Sequence, residues 1–130
     1  MATDTRAYPI EFITKNDYMV WHVCTQTCSR GKVELKDDKK TYFSIEKGNT
    51  SAALQHLAQG GDFYTGGAHL RLEVTIYNAT TQQDASVTSS GINTRLGENV
   101  GITYNICVED WIDKDYNDYY INLAVWRKQG

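Results

Sequence analysis

The stretch of sequence that decides the fold is His69-Leu-Arg-Leu-Glu-Val-Thr-Ile-Tyr77. Its apolar side chains occupy alternate positions, which places them on one face of an extended strand and the polar side chains on the other face. The apolar set consists of Leu70, Leu72, Val74 and Ile76. A helix would show a period near 3.6 residues, so this stretch predicts a half-buried β-strand.

The same alternation recurs along the chain. It is clear in Ile102–Val108 and in Ile121–Val125. Weaker strand candidates are Tyr8–Thr14, Tyr18–Cys24, Lys32–Lys36, Thr41–Glu46 and Ala85–Ser89. Many short alternating strands with turn residues between them predict an all-β fold, a single antiparallel β-sandwich of about eight or nine strands. We expect residues 1–130 to form one domain.

One segment departs from the β pattern. Thr50-Ser-Ala-Ala-Leu-Gln-His-Leu-Ala-Gln59 begins with an N-cap residue type, continues with helix formers and is followed by Gly60-Gly61. These are helix start and stop signals, so the sequence predicts one short helix near 50–59.

Composition excludes several classes of partner. The chain has 130 residues and a net charge of -3, with no basic stripe to neutralise phosphates, so nucleic acid is not expected as a partner. The apolar runs are far shorter than a membrane span. Residues Met1–Ala7 lack the apolar region of a signal peptide. We therefore expect a cytoplasmic protein, or one exported by a non-classical route to the cell surface or extracellular space.

The three cysteines do not form a disulfide framework. Cys24 and Cys28 are spaced to close a small loop, and the sequence leaves open whether they form a disulfide or remain two free thiols. Cys107 is expected unpaired in a strand. No zinc site is expected, and the three histidines are not expected to form a cluster.

The run with the clearest chemistry is Glu109-Asp-Trp-Ile-Asp-Lys-Asp-Tyr-Asn-Asp118. It places five carboxylates and one Asn within ten residues, against one Lys. Such crowding costs free energy unless the loop is solvated or a cation neutralises it. Asp113, Asp115 and Asn117 occupy alternate positions and would point the same way in an extended loop. Carboxylate and amide oxygens are the ligands of calcium, so the run predicts a calcium site.

Two other interpretations apply to an acidic run of this kind. An EF-hand starting at Asp113 would require Gly at the sixth position and Glu at the twelfth, where this chain has Asp118 and Ala124, so an EF-hand is excluded. A solvated acidic turn without an ion remains the simpler alternative.

The acidic run resembles the C-terminal calcium loop of the LecB-like bacterial lectins, soluble two-calcium proteins that bind fucose and mannose. That family shows a Glu-Asp pair, then Asp-x-Asp-Tyr-Asn-Asp, then an alternating strand that ends in Trp, with a terminal Gly. This chain has Glu109-Asp110, Asp113-Lys-Asp-Tyr-Asn-Asp118, Trp126 and Gly130. About Gly67 to Val108 also aligns with the family, whereas the first half resembles it in pattern only.

The resemblance implies a metal site with two Ca2+ ions. Glu109, Asp113, Asp115 and Asp118 would hold the first ion, and Asp115, Asn117 and Asp118 the second. A sugar would then coordinate both ions through vicinal hydroxyl groups, with no bond broken.

The resemblance also implies contacts from outside the acidic run. An early loop, expected at Thr25, Gln26 and Thr27, would set the sugar preference; a plain strand-end turn is the alternative. The implied sugar-binding set is completed by Asp110, Asp113, Asp115 and Asp118. In the family the carboxylate of the terminal glycine, here Gly130, enters the partner subunit's site.

These observations predict a calcium-dependent lectin for fucose- or mannose-type sugars, without enzymatic activity, forming a homodimer or higher homo-oligomer. One alternative is a structural calcium module of an adhesion protein that binds no sugar. Another is a glycoside hydrolase using carboxylates such as Glu34, Asp37 and Asp38, but these alternate with lysines as in a solvated hairpin.

Overall fold

The computed structural model describes residues 2–109 and 118–127. Within these ranges the chain forms nine β-strands: β1 (Ala2–Pro9), β2 (Tyr18–Thr25), β3 (Gly31–Lys36), β4 (Thr41–Lys47), β5 (Gln55–Phe63), β6 (Arg71–Ala79), β7 (Asp84–Asn93), β8 (Asn99–Glu109) and β9 (Tyr119–Trp126). They pair in a four-stranded sheet of order β1-β6-β3-β4 and a five-stranded sheet of order β5-β2-β9-β8-β7. Every pairing is antiparallel. The predicted all-β sandwich of about eight or nine strands is confirmed.

The core lies between the two sheets and is filled by alternate side chains of the strands. In β6 the predicted apolar face is buried, with Leu72 and Val74 at 0 % exposure and Ile76 at 1 %. The strand begins two residues later than predicted, because His69 has a positive φ of 62° and turns the chain there. The apolar faces of β8 and β9 complete the core from the opposite sheet, with Ile106 at 1 % and Leu123 at 0 % exposure.

The helix predicted near 50–59 is wrong. Gln55–Phe63 is strand β5, paired with β2, and residues 2–109 and 118–127 contain no helix. Local side-chain bonds hold the preceding loop in a non-helical form: the backbone N–H of Ser51 donates to Asn49 Oδ1 at 3.0 Å, and that of Ala53 donates to Ser51 Oγ at 3.2 Å. Gly60 lies opposite Trp21 in the strand interior, so the glycine pair is not a helix stop.

The strand predicted at Tyr8–Thr14 is also misplaced. β1 covers Ala2–Pro9, and the chain leaves the sheet after it. Phe12 and Asn16 have positive φ values of 57° and 78°, which a continuing strand does not contain. In the part of the chain that the structure describes, no helix is long and apolar enough to cross a membrane.

Candidate functional site

The two ends of the acidic run are held together by the central strands of the five-stranded sheet. Glu109 is the last residue of β8, and Asp118 lies immediately before β9. The backbone N–H of Asp118 donates to the carbonyl of Val108 at 3.0 Å, which closes the ladder below the loop. Both carboxylate residues are buried, Glu109 at 1 % and Asp118 at 9 % exposure. The acidic run therefore starts and finishes at one end of the sandwich.

Several predicted site residues lie outside the described residues, which omit 110–117 and 128–130. These are the predicted calcium ligands Asp113, Asp115, Asn117 and Gly130, together with Asp110 of the predicted sugar-binding set. Their roles stay predictions.

The predicted early loop lies directly against Asp118. The hydroxyl of Thr25 donates to the carbonyl of Asp118 at 2.5 Å, and the backbone N–H of Gln26 donates to the same carbonyl at 3.1 Å. The sheet order explains this contact. β9 lies between β2 and β8 and runs antiparallel to both, so the last residues of β2 and β8 and the first residues of β9 lie at the same end of the sheet. Residues far apart in sequence are thus brought together, while their part in sugar binding stays a prediction.

The three predicted specificity residues differ in accessibility. Thr25 and Thr27 are buried, at 0 % and 1 % exposure. The hydroxyl oxygen of Thr27 accepts the backbone N–H of Ser29 at 3.0 Å. Gln26 is half-buried, and its amide donates to the hydroxyl of Tyr120 at 3.1 Å. The two threonines therefore shape the loop, and Gln26 presents its side chain at the surface.

The chemistry of Glu109 and Asp118 fits a calcium ion. A carboxylate removed from water is costly unless cations or hydrogen bonds compensate it, and here two such groups close one loop. Their hard oxygens suit calcium rather than a soft transition metal. Residues 2–109 and 118–127 by themselves contain no cluster of three or more His, Cys, Asp or Glu side chains that could hold a metal ion.

Sequence reasoning missed one residue at this end of the sandwich, Lys47. It is the last residue of β4 and is only 1 % exposed. Its ammonium donates to the carbonyl of Asn49 at 2.7 Å and to Asn49 Oδ1 at 3.0 Å. The signal was present in the sequence, because alternation continued from Phe43 through Ile45 reaches Lys47. The predicted strand stopped at Glu46.

His22 and Cys24 lie in β2 and His56 lies in β5, whereas Cys28 follows β2 and Cys107 lies in β8. Cys24, Cys28 and Cys107 are free thiols in the structure. His22 stacks on His56 with ring centroids 4.5 Å apart, a pairing of two histidines that sequence reasoning did not predict, whereas His69 contacts Asp38. The Sγ atom of Cys24 lies 3.9 Å from His22 Nδ1.

The carboxylates considered for glycoside hydrolysis serve structural roles. Glu34 pairs with Lys32 and Lys36, each at 3.4 Å. The carboxylate of Asp38 accepts hydrogen bonds from His69 and Arg71, and the His69 bond does most to lower its pKa. A general acid needs a raised carboxyl pKa, so Asp38 does not suit that role.

Asp37 is likewise unsuited to acid catalysis. Burial raises the pKa of its carboxyl group, but hydrogen bonds from the backbone amides of Lys39 and Lys40 and from the hydroxyl of Tyr42 outweigh that effect. The net pKa lies below the usual value, and the carboxylate holds the β3–β4 turn.

Comparison with solved structures identifies similar folds among bacterial lectins. The C-terminal domain of the BC2L-C lectin from Burkholderia cenocepacia matches with a TM-score of 0.62 and 16 % identity, over 98 % of this chain and 99 % of that chain. The Chromobacterium violaceum lectin CV2L, solved in complex with alpha-methyl-fucoside, matches with a TM-score of 0.57 and 16 % identity, over 95 % and 96 %. A high-affinity mannose-binding lectin of Ralstonia solanacearum matches with a TM-score of 0.57 and 14 % identity, also over 95 % and 96 %.

At these identities the likeness establishes the fold. No protein-family model matches the chain, and no curated protein matches its sequence. The resemblance to bacterial fucose- and mannose-binding lectins, predicted from the acidic run and the strands before it, is confirmed at the level of the fold.

Proposed function

We propose that this protein is a calcium-dependent lectin that binds fucose- or mannose-type monosaccharides at the end of the sandwich where β2, β8 and β9 meet. The observation that carries the proposal is the pair of hydrogen bonds from Thr25 and Gln26 to the carbonyl of Asp118, because they join the early loop to the acidic run. The lectin fold, shared over nearly the whole chain, supports the same function.

The acidic run would hold two calcium ions. Glu109 and Asp118 offer buried carboxylates at its two ends, and Asp113, Asp115 and Asn117 supply further oxygens from the sequence between them. Calcium takes six to eight oxygen ligands, so bound ions would leave coordination places for vicinal sugar hydroxyl groups. Direct coordination also avoids the near-even exchange of sugar–water for sugar–protein hydrogen bonds.

Gln26 is the specificity residue in this proposal. It is the accessible member of the loop between the buried Thr25 and Thr27, and Asp110 of the acidic run would also contribute to sugar binding. Its contact with the hydroxyl of Tyr120 orients the side chain over β9. We infer that replacing Gln26 changes the sugar preference more than it changes calcium binding.

Sugar binding needs no catalytic group. Assembly of several subunits would strengthen the binding of the protein to a glycan surface. A monosaccharide site of modest affinity becomes effective on a glycan surface when several sites are linked, since the later contacts are then intramolecular. We therefore propose a homodimer or higher homo-oligomer as the functional form.

The test is isothermal titration of the protein with fucose and with mannose, in calcium and in EDTA. We expect a heat signal in calcium that EDTA abolishes. Glu109→Gln should weaken both calcium and sugar binding by at least about tenfold, since one ligand carboxylate loses its charge. Glu98→Gln, which changes the same charge in the exposed β7–β8 hairpin, should behave as wild type.

The outcomes separate the alternatives. Calcium binding without any sugar response would contradict the lectin and support a structural calcium module. Sugar binding that is unaffected by EDTA would refute the metal-dependent mechanism.

A further inference from the structure

Lys47 is a lysine whose side chain points into the protein. Phe43, Ile45 and Lys47 occupy alternate positions of β4 and therefore share a face. The ring of Phe43 stacks on Trp21 of the opposite sheet with centroids 5.0 Å apart, which shows that this face lies between the sheets. Lys47 is 1 % exposed at the end of that face.

One set of contacts places Lys47 at the same end of the sandwich as the candidate site. Lys47 is the register partner of Gly31 on β3. A Cβ atom on Gly31 would lie 2.5 Å from the hydroxyl oxygen of Tyr119, so the side chain of Tyr119 reaches from the start of β9 across the sandwich to β3. Tyr119 directly follows Asp118 in the chain, so Lys47 belongs to the end of the sandwich at which the acidic run finishes.

A second set of contacts leads to the same place through side chains. Lys47 donates to both oxygens of Asn49, at 2.7 and 3.0 Å. Asn49 and Gln55 exchange two amide hydrogen bonds, each of 3.1 Å. Gln55 is the register partner of Thr25, whose hydroxyl donates to the carbonyl of Asp118. The chain of contacts thus runs from the ammonium group to the early loop.

The buried charges at this end of the sandwich affect one another. A buried ammonium group is costly unless nearby acceptors and negative charge compensate it, and the same is true of buried carboxylates. Lys47, Glu109 and Asp118 are all removed from water at one end of the fold. A fixed positive charge there stabilises the carboxylates when no metal is present and opposes a divalent cation when one binds.

We propose that Lys47 is a built-in counter-charge for the acidic end of the sandwich, which preserves the calcium site before metal binds and sets its calcium affinity. This role rests on the calcium binding proposed above. Lys47 acts through charge, as a positioning residue, and is not itself a ligand of the metal or the sugar.

The test compares Lys47→Gln with Lys40→Gln. The glutamine amide can still donate to Asn49, so Lys47→Gln removes the charge and keeps part of the local bonding. Lys40 carries the same charge in the β3–β4 turn at the other end of β4, where it pairs with the half-buried Asp62 at 3.1 Å. Calcium affinity is measured by titration, and Tm is measured in EDTA and in calcium.

We expect Lys47→Gln to bind calcium about tenfold more tightly than wild type, from the loss of one positive charge near a divalent ion. Its Tm should fall more in EDTA than in saturating calcium, while Lys40→Gln changes neither quantity. Lys47→Arg provides a second variant that keeps the charge, and its calcium affinity should stay within about twofold of wild type.

Equal calcium affinities of Lys47→Gln and Lys40→Gln would overturn the role of Lys47 and leave the lectin proposal standing. Weaker calcium binding by Lys47→Gln would overturn it too, because a counter-charge cannot assist a cation. Absence of calcium binding by the wild type would overturn both proposals.

Discussion

At the scale of single residues, Gly31 matters because it has no Cβ atom, and the packing at this end of the sandwich leaves no room for one. A Cβ atom there would lie 2.5 Å from the hydroxyl oxygen of Tyr119 and would also collide with the carbonyl oxygen of Thr75. Both neighbours are fixed, since Tyr119 is fully buried and Thr75 belongs to the adjacent strand β6. The contact of the Tyr119 hydroxyl group with the backbone of β3 therefore requires glycine at this position.

We predict that Gly31→Ala lowers the free energy of unfolding by about 1–3 kcal/mol, as overpacking of a rigid site does. Urea denaturation followed by fluorescence measures the change. Gly48→Ala is the matched control, because no atom lies within 4 Å of its Cβ position, and it should stay within about 0.5 kcal/mol of wild type. A Gly31→Ala protein as stable as that control would show that the Tyr119 side chain and the β6 backbone move aside at little cost.

The chemistry of single residues could be predicted from sequence only where neighbours along the chain carry the signal. The crowding of carboxylates within ten residues indicates Glu109 and Asp118 as candidate metal ligands from the sequence alone, because the charges that repel one another are neighbours along the chain. Gly31 carries no such signal, because its close contacts are made with strands that are distant in sequence. Alternation along β4 places Lys47 on the inward face, but which end of the sandwich it joins depends on strands that are distant in sequence. The contact of Thr25 with Asp118 similarly needs the sheet order.

At the scale of elements, alternation predicted the strands well where one face is fully buried. β6, β8 and β9 fit this description, and their predicted positions hold within a few residues. The helix predicted for segment 50–59 was wrong because the pairing of β5 with β2 overrides the helical propensity of these residues. β5 is also an edge strand with Gly60 and Gly61 in its interior, which conceals its strand character in the sequence. Edge strands lack the burial that makes alternation visible.

The β3–β4 turn gives a prediction about pH. Asp37 is 5 % exposed, and it accepts the amides of Lys39 and Lys40 and the hydroxyl of Tyr42, all within 2.9 Å. Its burial raises the pKa of the carboxyl group, but these hydrogen bonds lower it to a net value below the usual 3.8. The stabilisation is therefore fully present above the unfolded-state pKa and is lost as pH falls through the lower folded-state pKa.

We expect Asp37→Ala to lose about 3 kcal/mol of stability at pH 7, from hydrogen bonds to a charged group. The difference in the free energy of unfolding between Asp37→Ala and wild type should become smaller once the pH falls below about 4. Denaturant titrations at several pH values measure the difference in the free energy of unfolding, with Asp62→Ala, at a half-buried carboxylate, as control. A gap that is the same at pH 7 and at pH 3 would contradict the assigned ionisation.

At the scale of the whole molecule, the candidate site joins the middle of one sheet to the edge of the other. β9 is the central strand of the five-stranded sheet, and the acidic run connects it to β8. Lys47 and Asn49 extend the same end to β4, the edge strand of the four-stranded sheet. An ion bound at this end would stabilise both sheets together, so calcium binding should appear in global unfolding and not only in a local loop.

Calcium is therefore expected to raise the Tm of the whole protein. A single site saturated at 100 times its Kd adds about 2.7 kcal/mol, which corresponds to roughly 10 °C for a domain of this size. Differential scanning calorimetry in calcium, in magnesium and in EDTA measures the shift, and magnesium should give much less because it demands a tighter octahedral site. Glu109→Gln should lose most of the calcium shift, whereas the control Glu98→Gln should keep it. If millimolar calcium left the wild-type Tm unchanged, the acidic run would be a solvated turn, and the lectin activity proposed for it would have no metal to act through.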